Sequence, residues 1–310
     1  MMKLVEGSMK SYYRRSCMSD WSKIKGTKYE DRIQELYHLI QVADAIVVGT
    51  GAGMSSAGGF TYHGPRFNEN FKEFIDEFGF LDMLHAALYD FPTWETYWAF
   101  ESKFILLNYF NKNPLSTYQY LSQLLKNKNY FILSTNADNR YRLNDYDMDY
   151  IFQMQGEYGK MQCSNQCHNV LYEDETLMWK MVDEQEDLMI PSSLIPYCPR
   201  CGAPLEMNKR DAIRGMVEDD QFIKQKQRYE TFLKKHEDKK VLFLEIGVGF
   251  TTPQYIKDPF QQWVKNHPNT QYVTLNTRNY ALDPEIKERT SWLKEDIKDI
   301  LSTLVTIDER

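Results

Sequence analysis

The sequence predicts an α/β protein: a Rossmann-like parallel sheet domain carrying an inserted small zinc-binding module and a helical insertion. Three observations lead there. Short apolar runs recur between stretches of helical spacing, at Ala45–Val48, Tyr130–Ser134, Tyr150–Met154, Val241–Ile246 and Tyr272–Leu275. Each run ends in small or polar residues, the pattern of buried parallel strands with helices on both faces. Four of the five cysteines, Cys163, Cys167, Cys198 and Cys201, fall within 39 residues that interrupt this series.

Composition narrows the class. The 310 residues are 42% hydrophobic and 26% charged, ordinary globular usage that excludes disorder as the main state. The formal net charge of −7 argues against a nucleic-acid binder, which needs a basic face. No apolar run approaches the length of a membrane span, and the mean hydropathy is −0.58. The N-terminal stretch lacks the apolar core of a secretory signal, so a cytoplasmic protein is expected.

In chain order, residues 1–28 read as a flexible N-terminal arm. Helical spacing begins near Tyr29, with Leu36, Leu39 and Ile40 on one face. The sheet domain is expected to take residues 29–160 and 233–310. A helical insertion is expected at about 69–126, where Phe71, Phe74, Ile75 and Phe78 form a stripe read as core. The zinc-binding module is expected at 161–232, with Pro191, Pro196, Pro199 and Pro204 among many charges. Its cysteines read C-x3-C, then C-x2-C, and in a reducing compartment such pairs indicate zinc rather than disulfides. Four thiolates leave no open metal position, so the zinc is expected to be structural.

Ligands of open parallel sheets bind at the carboxyl ends of the strands. After the first strand stands Gly51-Ala52-Gly53-Met54-Ser55, a glycine loop that lets backbone N–H groups approach a pyrophosphate. Thr135, Asn136 and Asp138 follow the second strand, and Gln155-Gly156 the third. Gly247 and Gly249 follow the fourth, and Asn276, Thr277 and Arg278 the fifth. A dehydrogenase would place an acidic ribose ligand about 20 residues beyond its glycine loop. Here that region is aromatic and helical, so Asn276 is the expected ribose partner.

The order Gly51-Ala52-Gly53-Met54-Ser55, Asn136-x-Asp138, Gln155-Gly156, four cysteines, Gly247-x-Gly249 and Asn276 resembles the sirtuins, from about residue 40 to 300. Departures narrow the resemblance. Where sirtuin deacylases carry Pro-Asp-Phe-Arg, this chain has Thr61-Tyr62-His63-Gly64, and Thr135 replaces a Gln. Gln155 replaces the catalytic His, and Leu205–Arg210 stands in place of the acyl-lysine clamp. With Gly59–Tyr62 and Arg66-Phe67, the chain is similar to macrodomain-linked, class M sirtuins. That resemblance implies a protein mono-ADP-ribosyltransferase using NAD as co-substrate. The implied acceptor is a lipoylated glycine-cleavage H-like carrier, and the implied partner is a macrodomain hydrolase that removes the mark.

The residues fit such chemistry. Breaking the nicotinamide–ribose bond passes through a cationic transition state that dipoles and carboxylates can stabilise. Asn136 can hold the ribose hydroxyls and Asp138 the nicotinamide amide. Deacylation further needs a base on the ribose, which His supplies and an amide such as Gln155 does not. Asn136, Asp138 and Gln155 are therefore the expected catalytic residues. The expected cofactor contacts are Gly51, Ala52, Gly53, Ser55, Thr135, Asn136, Asp138, Gln155, Gly247, Gly249, Asn276, Thr277 and Arg278. His63 and Arg66 are placed to reach phosphates or the incoming nucleophile. Two rival readings stand beside this one: an NAD-dependent protein deacylase, and a catalytically silent sensor of NAD or ADP-ribose.

Overall fold

The computed structural model describes residues 21–278 and 280–309, so most of the expected N-terminal arm lies outside the described residues. Its last part is held rather than loose. The Trp21 indole N–H donates to the Asn269 carbonyl, and the Ile24 N–H donates to the Ser291 hydroxyl.

Six parallel strands form the main sheet: β1 (Ala45–Thr50), β2 (Tyr130–Ser134), β3 (Ile151–Gln153), β6 (Val241–Ile246), β7 (Thr270–Leu275) and β8 (Thr290–Leu293). A second, antiparallel pair is β4 (Gly156–Cys163) and β5 (Leu205–Lys209). The spatial order is β3-β2-β1-β6-β7-β8, so the winding reverses between β1 and β6. That reversal opens a crevice at the strands' carboxyl ends, where a ligand of a doubly wound sheet binds.

Period-two alternation sends successive side chains to opposite faces. Ile46, Val48, Ile132, Leu242, Leu244 and Val273 meet α1 (Tyr29–Val42), α7 (Ser116–Leu125) and α11 (Ile297–Asp308). Ala45, Val47, Phe131, Phe152 and Phe243 meet α9 (Asp220–Lys235) and α10 (Lys257–Asn266). Both faces are covered, which is why the strands read as unbroken apolar runs.

The remaining helices are α2 (Ala52–Ala57), α3 (Pro65–Asn70), α4 (Lys72–Phe78), α5 (Met83–Ala87), α6 (Trp94–Ile105) and α8 (Glu175–Asp183). Apart from α2, they build a smaller lobe with β4 and β5. Phe71, Phe74, Trp98, Phe100 and Phe104 share one core with Met178, Met181, Cys198, Leu205 and Met207. The aromatic stripe is thus the wall against which the cysteine segment folds.

Two expected limits move. The helix α7 packs on the sheet through Tyr118, Leu121 and Leu125, so the helical insertion ends before it. The helix α9 packs on the sheet through Phe222 and Phe232, so the cysteine lobe ends near residue 219. Among the described residues, no helix is long and apolar enough to cross a membrane.

Candidate functional site

The crevice holds a cavity of about 240 Å³ between the two lobes. Ala52, Thr135, Asn136, Gln155 and Gly249 line it from the sheet side. Tyr62, Leu88, Tyr158, Lys209 and Arg210 close it from the smaller lobe. A larger groove of about 580 Å³ adjoins it and shares Ala87, Leu88, Lys209 and Arg210.

Asn136 is part of this wall and only 6% exposed. Its Nδ2 donates to the Gly51 carbonyl (3.0 Å) and to the Tyr118 hydroxyl (3.1 Å). No described residue donates to its Oδ1. The amide is therefore fixed by its nitrogen end, with its oxygen left to accept from a ligand. Gln155 sits at the tip between β3 and β4. Its carbonyl accepts from the Arg210 N–H, while its side-chain amide takes no partner among the described residues. Gly156 must follow it: at φ 90° a Cβ would lie 2.3 Å from the Asn208 carbonyl oxygen.

Asp138 lies deeper than expected. It is 1% exposed and does not line the cavity. The Ser55 hydroxyl donates to its Oδ2 at 2.6 Å. Burial pushes its carboxyl pKa up, against Ser55 and the neighbouring Arg140, which pull it down. Ser55 and Asp138 thus form a layer beneath the wall that holds the loop carrying Asn136. Burial also raises the Tyr62 phenol, and that of Tyr158 to about 12, so both remain hydroxyl donors near neutrality. Their oxygens are 3.2 Å apart at the cavity wall.

Most of the glycines serve the protein itself. A Cβ on Gly53 would stand 2.7 Å from the Gly247 Cα, and one on Gly51 would stand 2.8 Å from the Gly247 carbonyl oxygen. Gly247 has φ 63°, and its Cβ would stand 2.5 Å from the Gly53 carbonyl carbon. The β1 and β6 loops therefore touch backbone to backbone, a contact that these three glycines allow. Gly249 differs, because a Cβ there meets nothing within 4 Å. Gly247→Ala is expected to lower the melting temperature by about 5–10 °C, since overpacking and left-handed strain together cost about 2–4 kcal/mol. Gly249→Ala should melt as wild type. Paired thermal melts check both.

Asn276 is engaged within the protein. Its Nδ2 donates to the Val248 carbonyl at 2.9 Å, and its Oδ1 accepts from the Arg278 N–H at 3.0 Å. This is an Asx-type cap tying the β7 tip to the β6 loop. Thr277 and Arg278 are exposed at the β7 tip, outside the cavity wall. Arg66 is likewise used internally. Its guanidinium donates to the Thr61 and Leu107 carbonyls and to Asn108 Oδ1, and lies 3.9 Å over the Phe60 ring. His63 is exposed and does not line the cavity.

The four cysteine sulfurs all lie within 4.8 Å of one another. The Cys163–Cys201 and Cys167–Cys198 pairs are 3.4 and 3.6 Å apart. A tetrahedron with 2.3 Å zinc–sulfur bonds has edges of about 3.8 Å, so the donor set fits zinc. His168 Nδ1 stands 3.0 Å from the Cys167 sulfur, beside the ligand set rather than in place of a member.

Sequence reasoning missed Tyr62, Tyr158, Lys209 and Arg210 as cavity residues. Arg210 and Lys209 had a signal, since they close the segment that departs from the sirtuin acyl-lysine clamp. Tyr62 had one too, since it stands in the Thr61–Gly64 stretch that departs from the sirtuin Pro-Asp-Phe-Arg, whereas Tyr158 had none.

The chain matches no family model. Solved structures similar to it include a Sir2 homologue in complex with ADP-ribose, at TM-score 0.58 and 15% identity, covering 89% of this chain and 96% of that one. A Sir2 homologue–NAD complex has the same score and identity, covering 94% of this chain and 98% of that one. The fold is that of the Sir2 proteins. A protein ADP-ribosyltransferase of Staphylococcus aureus is 49% identical over 269 residues, 87% of this chain and 85% of its own length. A Fusarium oxysporum protein named as a probable bifunctional ADP-ribose hydrolase/ADP-ribosyltransferase is 28% identical over 233 residues, 72% of this chain but 38% of its own length. The chain belongs to the protein ADP-ribosyltransferase family that the Staphylococcus protein represents.

Proposed function

We propose that the chain is a class M, macrodomain-linked sirtuin that transfers a single ADP-ribose from NAD to a lipoylated glycine-cleavage H-like carrier in the cytoplasm. The observation that carries the reaction class is Gln155. It presents a neutral amide at the cavity, and no histidine lines that wall. Deacylation needs a proton acceptor at the ribose, and a carboxamide has none in the accessible pH range.

NAD, when bound, supplies an N-glycosidic bond whose cleavage releases neutral nicotinamide and opens ribose C1′ to the acceptor's lone pair. The acceptor's proton passes to solvent. In this reading Asn136 accepts from a ribose hydroxyl through its free Oδ1. Gln155 orients the ribose from the opposite tip. Ser55 and Asp138 keep the Asn136 loop in register from below. Zinc held by Cys163, Cys167, Cys198 and Cys201 is structural. The Fusarium relative, whose name joins a hydrolase to a transferase, supports a separate macrodomain hydrolase as the partner that reverses the mark.

The test is mass spectrometry of wild type and Gln155→His with NAD and either the carrier, with and without lipoyl, or an acyl-lysine peptide. Wild type is expected to modify only the lipoylated carrier. The variant restores a base of suitable pKa but not the acyl-lysine clamp, so it should deacylate the peptide no better than wild type. Robust peptide deacylation by wild type would replace this reading with a deacylase. Failure to release nicotinamide under any condition would replace it with a sensor.

A further inference from the structure

The groove of about 580 Å³ that adjoins the cavity is lined mainly by two segments, residues 87–97 and 206–214. Phe91, Trp94 and Tyr97, all half-buried, give it an aromatic lining. These rings are fixed. Trp94 and Tyr97 meet edge to face with centres 5.2 Å apart, and the Tyr97 hydroxyl accepts from the Met207 N–H at 2.9 Å. Three further lining residues are apolar and open to solvent: Leu88 is 63% exposed, Tyr89 40% and Ile213 94%. A braced turn holds Ile213 out. Asp211 Oδ1 accepts from the Ile213 and Arg214 N–H groups, and Asp211 and Gly215 exchange backbone hydrogen bonds. A single exposed isoleucine means little, but one fixed on a turn in a groove with two other exposed apolar side chains marks an interaction site.

The charges along the groove say what it can hold. Lys209 pairs with Glu101 at 2.8 Å, Arg210 with Glu218 at 2.7 Å and Arg214 with Glu206 at 3.3 Å. Asp211 is spent on the turn, so Asp90 is the one lining charge with neither role among the described residues. A charged segment would have to break these pairs or leave its own charge unmatched, whereas a neutral apolar chain displaces none of them. The groove also meets the cavity at Ala87, Leu88, Lys209 and Arg210, so its occupant lies at the cavity mouth.

We propose that this groove docks an uncharged, apolar arm of the acceptor protein, while a second side chain of the same acceptor enters the cavity. The inference rests on the carrier reading above. Lipoyl-lysine is an arm of that kind: an amide-linked fatty chain without charge, ending in a dithiolane whose sulfurs suit aromatic edges. Each methylene it buries is worth up to about fourfold in affinity. Tyr89 and Ile213 line the groove but not the cavity, so they select the acceptor and take no part in the chemistry.

The experiment uses the full chain and one carrier bearing lipoyl, octanoyl, butanoyl or no arm on the same lysine, followed by equilibrium binding and by steady-state transfer. Octanoyl, which lacks the sulfurs, should bind within about threefold of lipoyl, and butanoyl at least about tenfold more weakly than octanoyl. Ile213→Asp and Tyr89→Ser are each expected to raise KM for the lipoylated carrier about tenfold with kcat held, because the groove binds ground state and transition state alike. KM for NAD should stay at the wild-type value in both. A lipoylated-carrier KM unchanged in both variants, with wild type active, would overturn the groove alone. So would variants that weaken the armless carrier as much as the lipoylated one, because the groove would then meet the carrier's surface instead of its arm. Octanoyl binding no better than no arm would overturn the apolar chain as the thing recognised. A wild type that modifies no form of the carrier would overturn the carrier reading and the docking together.

Discussion

Asn136→Ala is expected to cut ADP-ribose transfer about 100-fold or more while leaving a folded protein. That is the scale of losing one preorganised contact to the charge that develops in a transition state. The geometry explains why the contact is preorganised. The amide nitrogen is committed to the Gly51 carbonyl and the Tyr118 hydroxyl, so the side chain cannot rotate to suit a ground state. Its oxygen is held in advance of any ligand. The substitution also removes the donor to Gly51, which costs about 1–2 kcal/mol of stability and about 2–8 °C in melting temperature. Tyr118 keeps its partner Ser55, so the layer around Asp138 survives. Single-turnover transfer measured well below the melting temperature separates the two effects. Transfer within threefold of wild type would remove Asn136 from the chemistry.

The strands were legible where burial on both faces wrote them as apolar runs, as in Tyr130–Ser134 and Val241–Ile246, whose limits β2 and β6 share. The strand β8 was not, because Thr290-Ser291-Trp292-Leu293 is a four-residue edge strand with only two apolar residues. Nor were β4 and β5, whose Gln162 and Asn208 are buried polar residues that satisfy one another across the pair, a pattern with no hydrophobic signature. The site was legible as a set of strand tips. What each tip residue touches was not. The Ser55–Asp138 bond joins residues 83 apart in sequence, and nothing local announces it. Two asparagines at strand tips look alike in sequence, yet Asn276 is bonded within the protein at both ends of its amide and Asn136 only through its nitrogen. Close-packing glycines and ligand-approach glycines are indistinguishable for the same reason.

Disrupting the four-cysteine site should disable the enzyme even though the sulfurs stand outside the cavity. Cys198→Ser, or chelation at neutral pH, is expected to lower the melting temperature by about 10 °C or more, because structural zinc contributes about 10–16 kcal/mol to small folding units. Part of that loss is offset here, since the lobe shares its core with Trp98, Phe100 and Phe104. The loss of transfer should be larger than the loss of fold, for a reason of register. Gly156 pairs with Lys209 at one end of β4 and β5, and Cys163 pairs with Leu205 at the other. The cysteines therefore knot the far end of a hairpin-like pair about 24 Å long. Its near end carries Gln155, Lys209 and Arg210 into the cavity. Untying the knot frees β5 to slip, and every cavity residue on these strands loses its place. Metal analysis should find about one zinc per chain in wild type and little in the variant. Transfer should fall steeply at temperatures where the sheet domain still shows its native circular dichroism. A metal-free wild type with full activity and an unchanged melt would show that the sulfur cluster holds its geometry without an ion, and the coupling from zinc to Gln155 would fall with it.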